Sequence, residues 1–174
     1  MRSFIACVIL LVAALPLARA DDGCTDFKWD VSKERALFST APTPLTAGKD
    51  AKTAPTVLPD KLYQIQLASQ ASVKFALEPG RKSRADSDHA GVATLKLPAS
   101  GSYRISMDMP LWIDVVSNAA LVSAKDFQGQ HDCKAPHKIV EFELAADRTL
   151  TLQLSSSASD SVRMTVTASP VRKF

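Results

Sequence analysis

From residue 61 onward, apolar and polar residues alternate in short runs. Tyr63, Ile65 and Leu67 make one run, Val73, Phe75 and Leu77 a second, residues 92–97 a third, and Tyr103, Ile105 and Met107 a fourth. Leu111, Ile113 and Val115 form a fifth, with Trp112 on the opposite face, and residues 139–144, then Leu150, Leu152 and Leu154, then Val162, Met164 and Val166 bring the number to eight. Successive side chains of a strand point to opposite faces, so each run predicts a strand with one buried face. Glu78-Pro79-Gly80 and Pro98 to Gly101 separate runs with turn chemistry, and the serines of 155–160 read as a flexible hairpin tip. No window after residue 61 carries the three- and four-residue apolar spacing of a helix. The pattern predicts an all-β domain over 61–174, an antiparallel, jelly-roll-like β-sandwich of about eight strands. Its expected core is the apolar members of these runs, with Leu95, Val140 and Phe142 among them.

The residues ahead of this domain read differently. Phe27, Trp29 and Val31 alternate like a short strand, and residues 31–38 can form one or two helical turns that place Val31 and Phe38 on one face. Pro42, Pro44, Pro55 and Pro59, together with Gly48, exclude regular structure from 41–60 and predict a surface connection. Residues 21–60 are therefore an irregular lead-in. Residues 1–20 have the three parts of a secretory signal: Arg2, an apolar run of about fourteen residues, shorter than the ~20 that span a bilayer, and the small-x-small site Ala18-Arg19-Ala20. Cleavage after Ala20 would deliver the chain to the periplasm with no membrane span left in it.

The whole chain of 174 residues carries a net charge of +3, but losing Arg2 and Arg19 with the signal leaves 19 basic against 18 acidic side chains. No Lys/Arg block survives that could neutralise a phosphate track, so nucleic acid is not an expected partner. Arg81-Lys82-Ser83-Arg84 is followed at once by Asp86 and Asp88 and reads as a solvated loop. Hydrophobic content of 46% is ample for one core, so the expected state is a monomer with an unknown periplasmic ligand or protein partner.

Of the three cysteines, Cys7 leaves with the signal, and Cys24 and Cys133 enter a compartment that oxidises thiols. The expected outcome is a Cys24–Cys133 disulfide; a reactive thiol or metal-binding thiolate would require one of them unpaired.

Two resemblances follow from particular residues. The stretch 91–107, with Gly91 and the strand start Gly101-Ser102-Tyr103-Arg104-Ile105, resembles bacterial pre-peptidase C-terminal domains, which implies a sandwich whose tyrosine fills the core with its hydroxyl near the surface. More of the chain, from Cys24 to Val166, resembles a group of small exported proteobacterial proteins that often carry the label homogentisate 1,2-dioxygenase. Gly23-Cys24, Phe27-Lys28-Trp29, Trp112-Ile113-Asp114-Val115-Val116 and Cys133 to Lys138 carry that likeness. It implies periplasmic residence and paired Cys24 and Cys133. The long cupin enzymes of that name hold ferrous iron with two histidines and a glutamate, and none of their ligands maps onto a position here.

Candidate chemistry is sparse. A non-haem iron site wants two histidines and a carboxylate on one face. His131 and His137, six apart across Cys133 and Pro136, are the candidate pair, with Asp132 as the third ligand, or Asp126 or Glu141 in its place; His89 sits in a polar turn. Met107 and Met109 offer thioethers for copper, although Met107 is in phase with the core. No Gly-x-Ser-x-Gly elbow, phosphate-binding glycine loop or HExxH is present, and no catalytic residue is assigned. Trp112 is the candidate ligand platform, its alternative being burial against Phe27 and Trp29, and Asp114 beside it needs a partner such as Arg104. The reading is a non-catalytic periplasmic binding or envelope-accessory module; the alternative is a small iron-dependent oxygenase built on His131 and His137.

Overall fold

A computed structural model describes residues 23–81 and 85–170. The expected signal peptide at 1–20 and most of the basic loop at 81–84 lie outside the described residues. In chain order the elements are a 3-10 turn at Cys24–Asp26, α1 at Ser32–Phe38, β1 at Thr43–Thr46, β2 at Thr56–Val57, β3 at Leu62–Gln66, β4 at Ala68–Ser69 and a 3-10 turn at Gln70–Ser72. They continue with β5 at His89–Leu95, β6 at Gly101–Met107, β7 at Trp112–Ser117, β8 at Ala120–Val122, β9 at Ala124–Gly129, β10 at Lys138–Leu144, β11 at Leu150–Ser157 and β12 at Ser161–Ala168.

The strands form two sheets, one in the order β1-β3-β12-β6-β10-β9 and the other β2-β5-β11-β7-β8 with β4 also paired to β5. The all-β sandwich expected from the alternation is therefore the observed fold. Tyr63, Ile65, Tyr103, Ile105, Met107, Val140, Phe142, Val162, Met164 and Val166 of the first sheet face Leu95, Ile113, Val115, Leu150, Leu152 and Leu154 of the second in one buried core. The Tyr103 hydroxyl donates to the Ala99 carbonyl at 2.8 Å, so this buried ring keeps its polar end bonded at the core's edge.

Three expectations are corrected. First, 41–60 is not devoid of strands: β1 pairs with β3 and β2 with β5, both in parallel, against an otherwise antiparallel plan. Pro44 is tolerated in β1 because this strand is the edge of its sheet, where a missing N–H breaks no ladder. Second, Val73, Phe75 and Leu77 belong to no strand and are only half-buried. Their segment is bound through backbone amides to side chains of the second sheet: Gln153 accepts from the N–H of Ala76 (2.8 Å) and of Leu77 (3.1 Å) and donates to the Leu77 carbonyl (3.2 Å). Gln153 alternates with the core residues Leu152 and Leu154, so it lies on the outward face, and the segment covers it completely. Third, Ser155 to Ser157 are not a hairpin tip but buried residues of β11.

The outward face of the first sheet is covered too, by the lead-in. Just ahead of α1, whose N-cap is Val31, the Asp30 carboxylate accepts from the Ser32 N–H at 2.9 Å, and this bond holds the Asp30 carboxyl below its usual range. Val31, Glu34 and Phe38, spaced three and four apart, are buried on one side, the face expected for 31–38. Cys24 and Cys133 form the expected disulfide and pack with Phe27, Trp29, Val31 and Ile139 in a second apolar cluster. Beside it lies a buried ionic group. Arg104 Nε donates to Glu141 Oε2 at 3.2 Å, its Nη1 donates to the Asp30 carbonyl at 3.0 Å and stands 3.6 Å from Glu34 Oε1, and its guanidinium lies 4.9 Å from the centre of the Trp29 ring. Thr167 donates to Glu34 and Ser169 to Glu141, so both carboxylates have further donors.

Candidate functional site

Trp112 opens β7 and, alternating with Ile113 and Val115, points away from the core. It does not join Phe27 and Trp29, which pack with the disulfide on the other sheet; it stays half-buried at the end of the sandwich where β7 and β10 begin. Its indole N–H donates to Asp114 Oδ1 at 3.0 Å, two residues along the same strand face. Asp114 Oδ2 accepts from the Gly80 N–H at 3.0 Å, so one buried carboxylate fixes both the ring and the loop that crosses it. The expected Asp114–Arg104 pairing is thus corrected: Arg104 belongs to the buried ionic group on the first sheet, and Asp114 is satisfied by two N–H donors on the second. Glycine at 80 suits a close approach, since a Cβ there would meet Asp114 Oδ1 at 3.1 Å and the indole nitrogen at 3.2 Å, and these side chains would have to shift by a few tenths of an ångström.

Two cations flank the ring. Lys138 Nζ lies 5.2 Å from its centre and donates to the Leu111 carbonyl at 2.7 Å, and the Arg81 guanidinium carbon lies 6.0 Å from it. With Pro110, Leu111 and Ser156 these residues line a cleft of about 60 Å³. Neither cation was singled out from the sequence. Arg81 reads there as part of a solvated loop. Lys138 carried a signal that was readable: it shares the parity of Val140, Phe142 and Leu144 in β10, a charge at a position where the alternation calls for an apolar residue.

The structure brings His131 and His137 together, with ring centres 5.4 Å apart in an edge-on arrangement. Asp132 instead lies against Gly23, in a cavity of about 360 Å³ beside the disulfide that Arg35 and Lys134 also line. The other carboxylates considered are engaged elsewhere, Asp126 with Lys28 and Glu141 with Arg104. Among the described residues no three His, Cys, Asp or Glu side chains are placed to hold a metal ion together. Met107 is fully buried core and Met109 packs against its rim, near the Ser157 hydroxyl. His89 is not in a turn but opens β5.

Burial lowers the His137 pKa, and the neighbouring His131 lowers it further, against an opposing pull from Asp108. A histidine depressed below its unfolded value binds fewer protons folded than unfolded. Its contribution to stability is then present above the unfolded pKa of about 6.5 and is lost as pH falls through the folded value. In an NMR titration His137 is expected to titrate below 6.5, and His131→Ala to raise its midpoint; an unchanged midpoint would show that the two rings do not interact.

Compared with protein-family models, with curated proteins and with solved structures, the chain matches none. No described helix is long and apolar enough to cross a membrane.

Proposed function

We propose that the chain is an exported, periplasmic binding or envelope-accessory module without catalytic machinery of its own, and that it binds through the Trp112 face. The observation that carries the reading is the half-buried Trp112 ring held by the buried Asp114 carboxylate. A large aromatic side chain that is partly accessible and fixed in orientation offers contact area with little ordering cost on binding. The long-range disulfide supports residence in an oxidising compartment. The secretory pattern of residues 1–20 and the likeness to small exported proteobacterial proteins support the same location.

The test is an array of purified envelope saccharides and peptides probed with the disulfide-bonded protein and with Trp112→Ala. Trp112→Ala removes the ring's contact and is expected to weaken binding at least tenfold; because it also takes the indole donor from the buried Asp114 carboxylate, the urea midpoint is measured alongside and the comparison is made under conditions where both proteins are folded. If the two proteins give the same pattern, bound or blank, the reading is overturned.

A further inference from the structure

We propose that the cleft beside Trp112 is an anion subsite, seating one carboxylate or phosphate group of an acidic ligand between Arg81 and Lys138. The proposal rests on the reading of the Trp112 face as the binding surface and adds the chemistry of what that surface takes.

Charge is the first argument. Among the described residues that line the cleft, Arg81 and Lys138 are cations and none is an acid. The nearby carboxylate, Asp114, lies under the ring with one oxygen on the indole N–H and the other on the Gly80 N–H, so its charge is already met by two fixed donors. The second argument is preorganisation. A cation lying on an aromatic face is held there by the ring's quadrupole, and Lys138 is held further by the N–H it donates to the Leu111 carbonyl. The Trp112 ring thereby positions Arg81 and Lys138 in advance, and the Asp114 bond to Gly80 anchors the residue immediately before Arg81. A guanidinium offers planar paired donors and an ammonium a compact charge, a combination suited to carboxylate and phosphate oxygens.

Shape is the third. About 60 Å³ is room for a carboxylate or a phosphate and is too small for a whole sugar ring, so the rest of the ligand must lie outside, along the open Trp112 edge. Backbone irregularity is the fourth. The pairing of β11 with β5 shifts between Leu154 and Ser157, and Ser156, inside that shift, has φ +56° with its N–H bonded to the Gln70 side chain. Bulges re-aim side chains and recur beside functional sites, and a non-glycine residue in the left-handed region costs energy that the surroundings must hold in place. This bulge brings Ser156 to the wall of the cleft.

The experiment follows the two indole N–H signals, one from Trp29 and one from Trp112, in the 15N-labelled, disulfide-bonded protein. The probes are glucuronate, glucose 6-phosphate, inorganic phosphate and glucose. The acidic sugars are expected to shift the Trp112 signal saturably and leave Trp29 in place, with glucose at least tenfold weaker and inorganic phosphate competing with them. A preference between the two acidic sugars tells whether carboxylate or phosphate is the natural group. Arg81→Gln with Lys138→Gln should weaken the acidic sugars at least tenfold; Arg81→Gln alone, at an exposed position, should cost several-fold and serves if the double variant does not fold. Glucose binding at Trp112 as tightly as glucuronate would overturn the anion subsite and leave the binding surface standing. A Trp112 signal that none of the four probes moves would also overturn the subsite, and the array with Trp112→Ala then decides the broader reading on its own.

Discussion

Replacing Cys24 and Cys133 together by alanine is expected to lower the unfolding free energy by about 4–5 kcal/mol. The bridge joins residues 109 apart, and closing so long a loop removes a large part of the unfolded chain's conformational freedom. Total stabilities of domains run to about 5–15 kcal/mol, so the loss is about a quarter of the total or more. The change has a local side as well. Cys24 fastens the lead-in, which shields the Arg104 group, and Cys133 lies fully buried under it. Urea unfolding of the oxidised protein and of the alanine pair measures the effect. The unbridged chain should also show a steeper denaturant dependence, since its unfolded state exposes more surface. A loss below about 1 kcal/mol would mean that the bridge only decorates a lead-in already held by its other contacts.

Arg104→Ala is the second large effect, expected at about 3–5 kcal/mol, the range for removing one partner of a buried ion group. The variant leaves Glu34 and Glu141, both buried, without the charge that balances them. Combining Arg104→Met with Glu34→Gln and Glu141→Gln should recover most of the loss. The two amides still accept from Thr167 and Ser169, while the stranded charge is gone. The comparison separates the cost of an orphaned carboxylate from the value of the ion group itself. Should the triple variant be no more stable than Arg104→Ala, packing of the guanidinium on Trp29, and not charge balance, would be the source of the effect.

Seven of the eight alternating runs are strands because each carries its own signal: the side chains that meet the core recur every second residue, whatever the strand's neighbours. The run at Val73, Phe75 and Leu77 shows where that signal misleads. Alternation reports two differing faces, and a segment laid across a sheet has them as much as a strand within one. The short edge strands β1, β2, β4, β8 and β9 escaped notice for the converse reason. Most of their residues are exposed or half-exposed, so no alternation of polarity marks them. In the candidate site, Trp112 and Asp114 were legible as an aromatic and an acid on one strand face. Arg81 and Lys138 were not, because their meeting at one ring depends on a loop fold and on the juxtaposition of β7 and β10, neither of which local spacing encodes. The disulfide was legible from chemistry alone, since only two cysteines remain once the expected signal is removed.

The position of β12 sets the order in which this chain becomes a protein. The last of the described strands in chain order, it lies between β3 and β6 in the middle of the first sheet, and it also receives α1, whose Glu34 takes a hydrogen bond from Thr167, 133 residues later. A ribosome delivers α1, β1 and β2 before the strands they pair or pack with, and β3 meets its inner neighbour only after β11 has been made. Long-range pairing of this kind is slow and leaves strand edges open meanwhile. A polypeptide ending short of β12 would leave β1-β3 and β6-β10-β9 as two separately paired pieces with nothing to join them into one sheet. The open edges of β3 and β6 therefore wait for β12 in whatever compartment the chain folds.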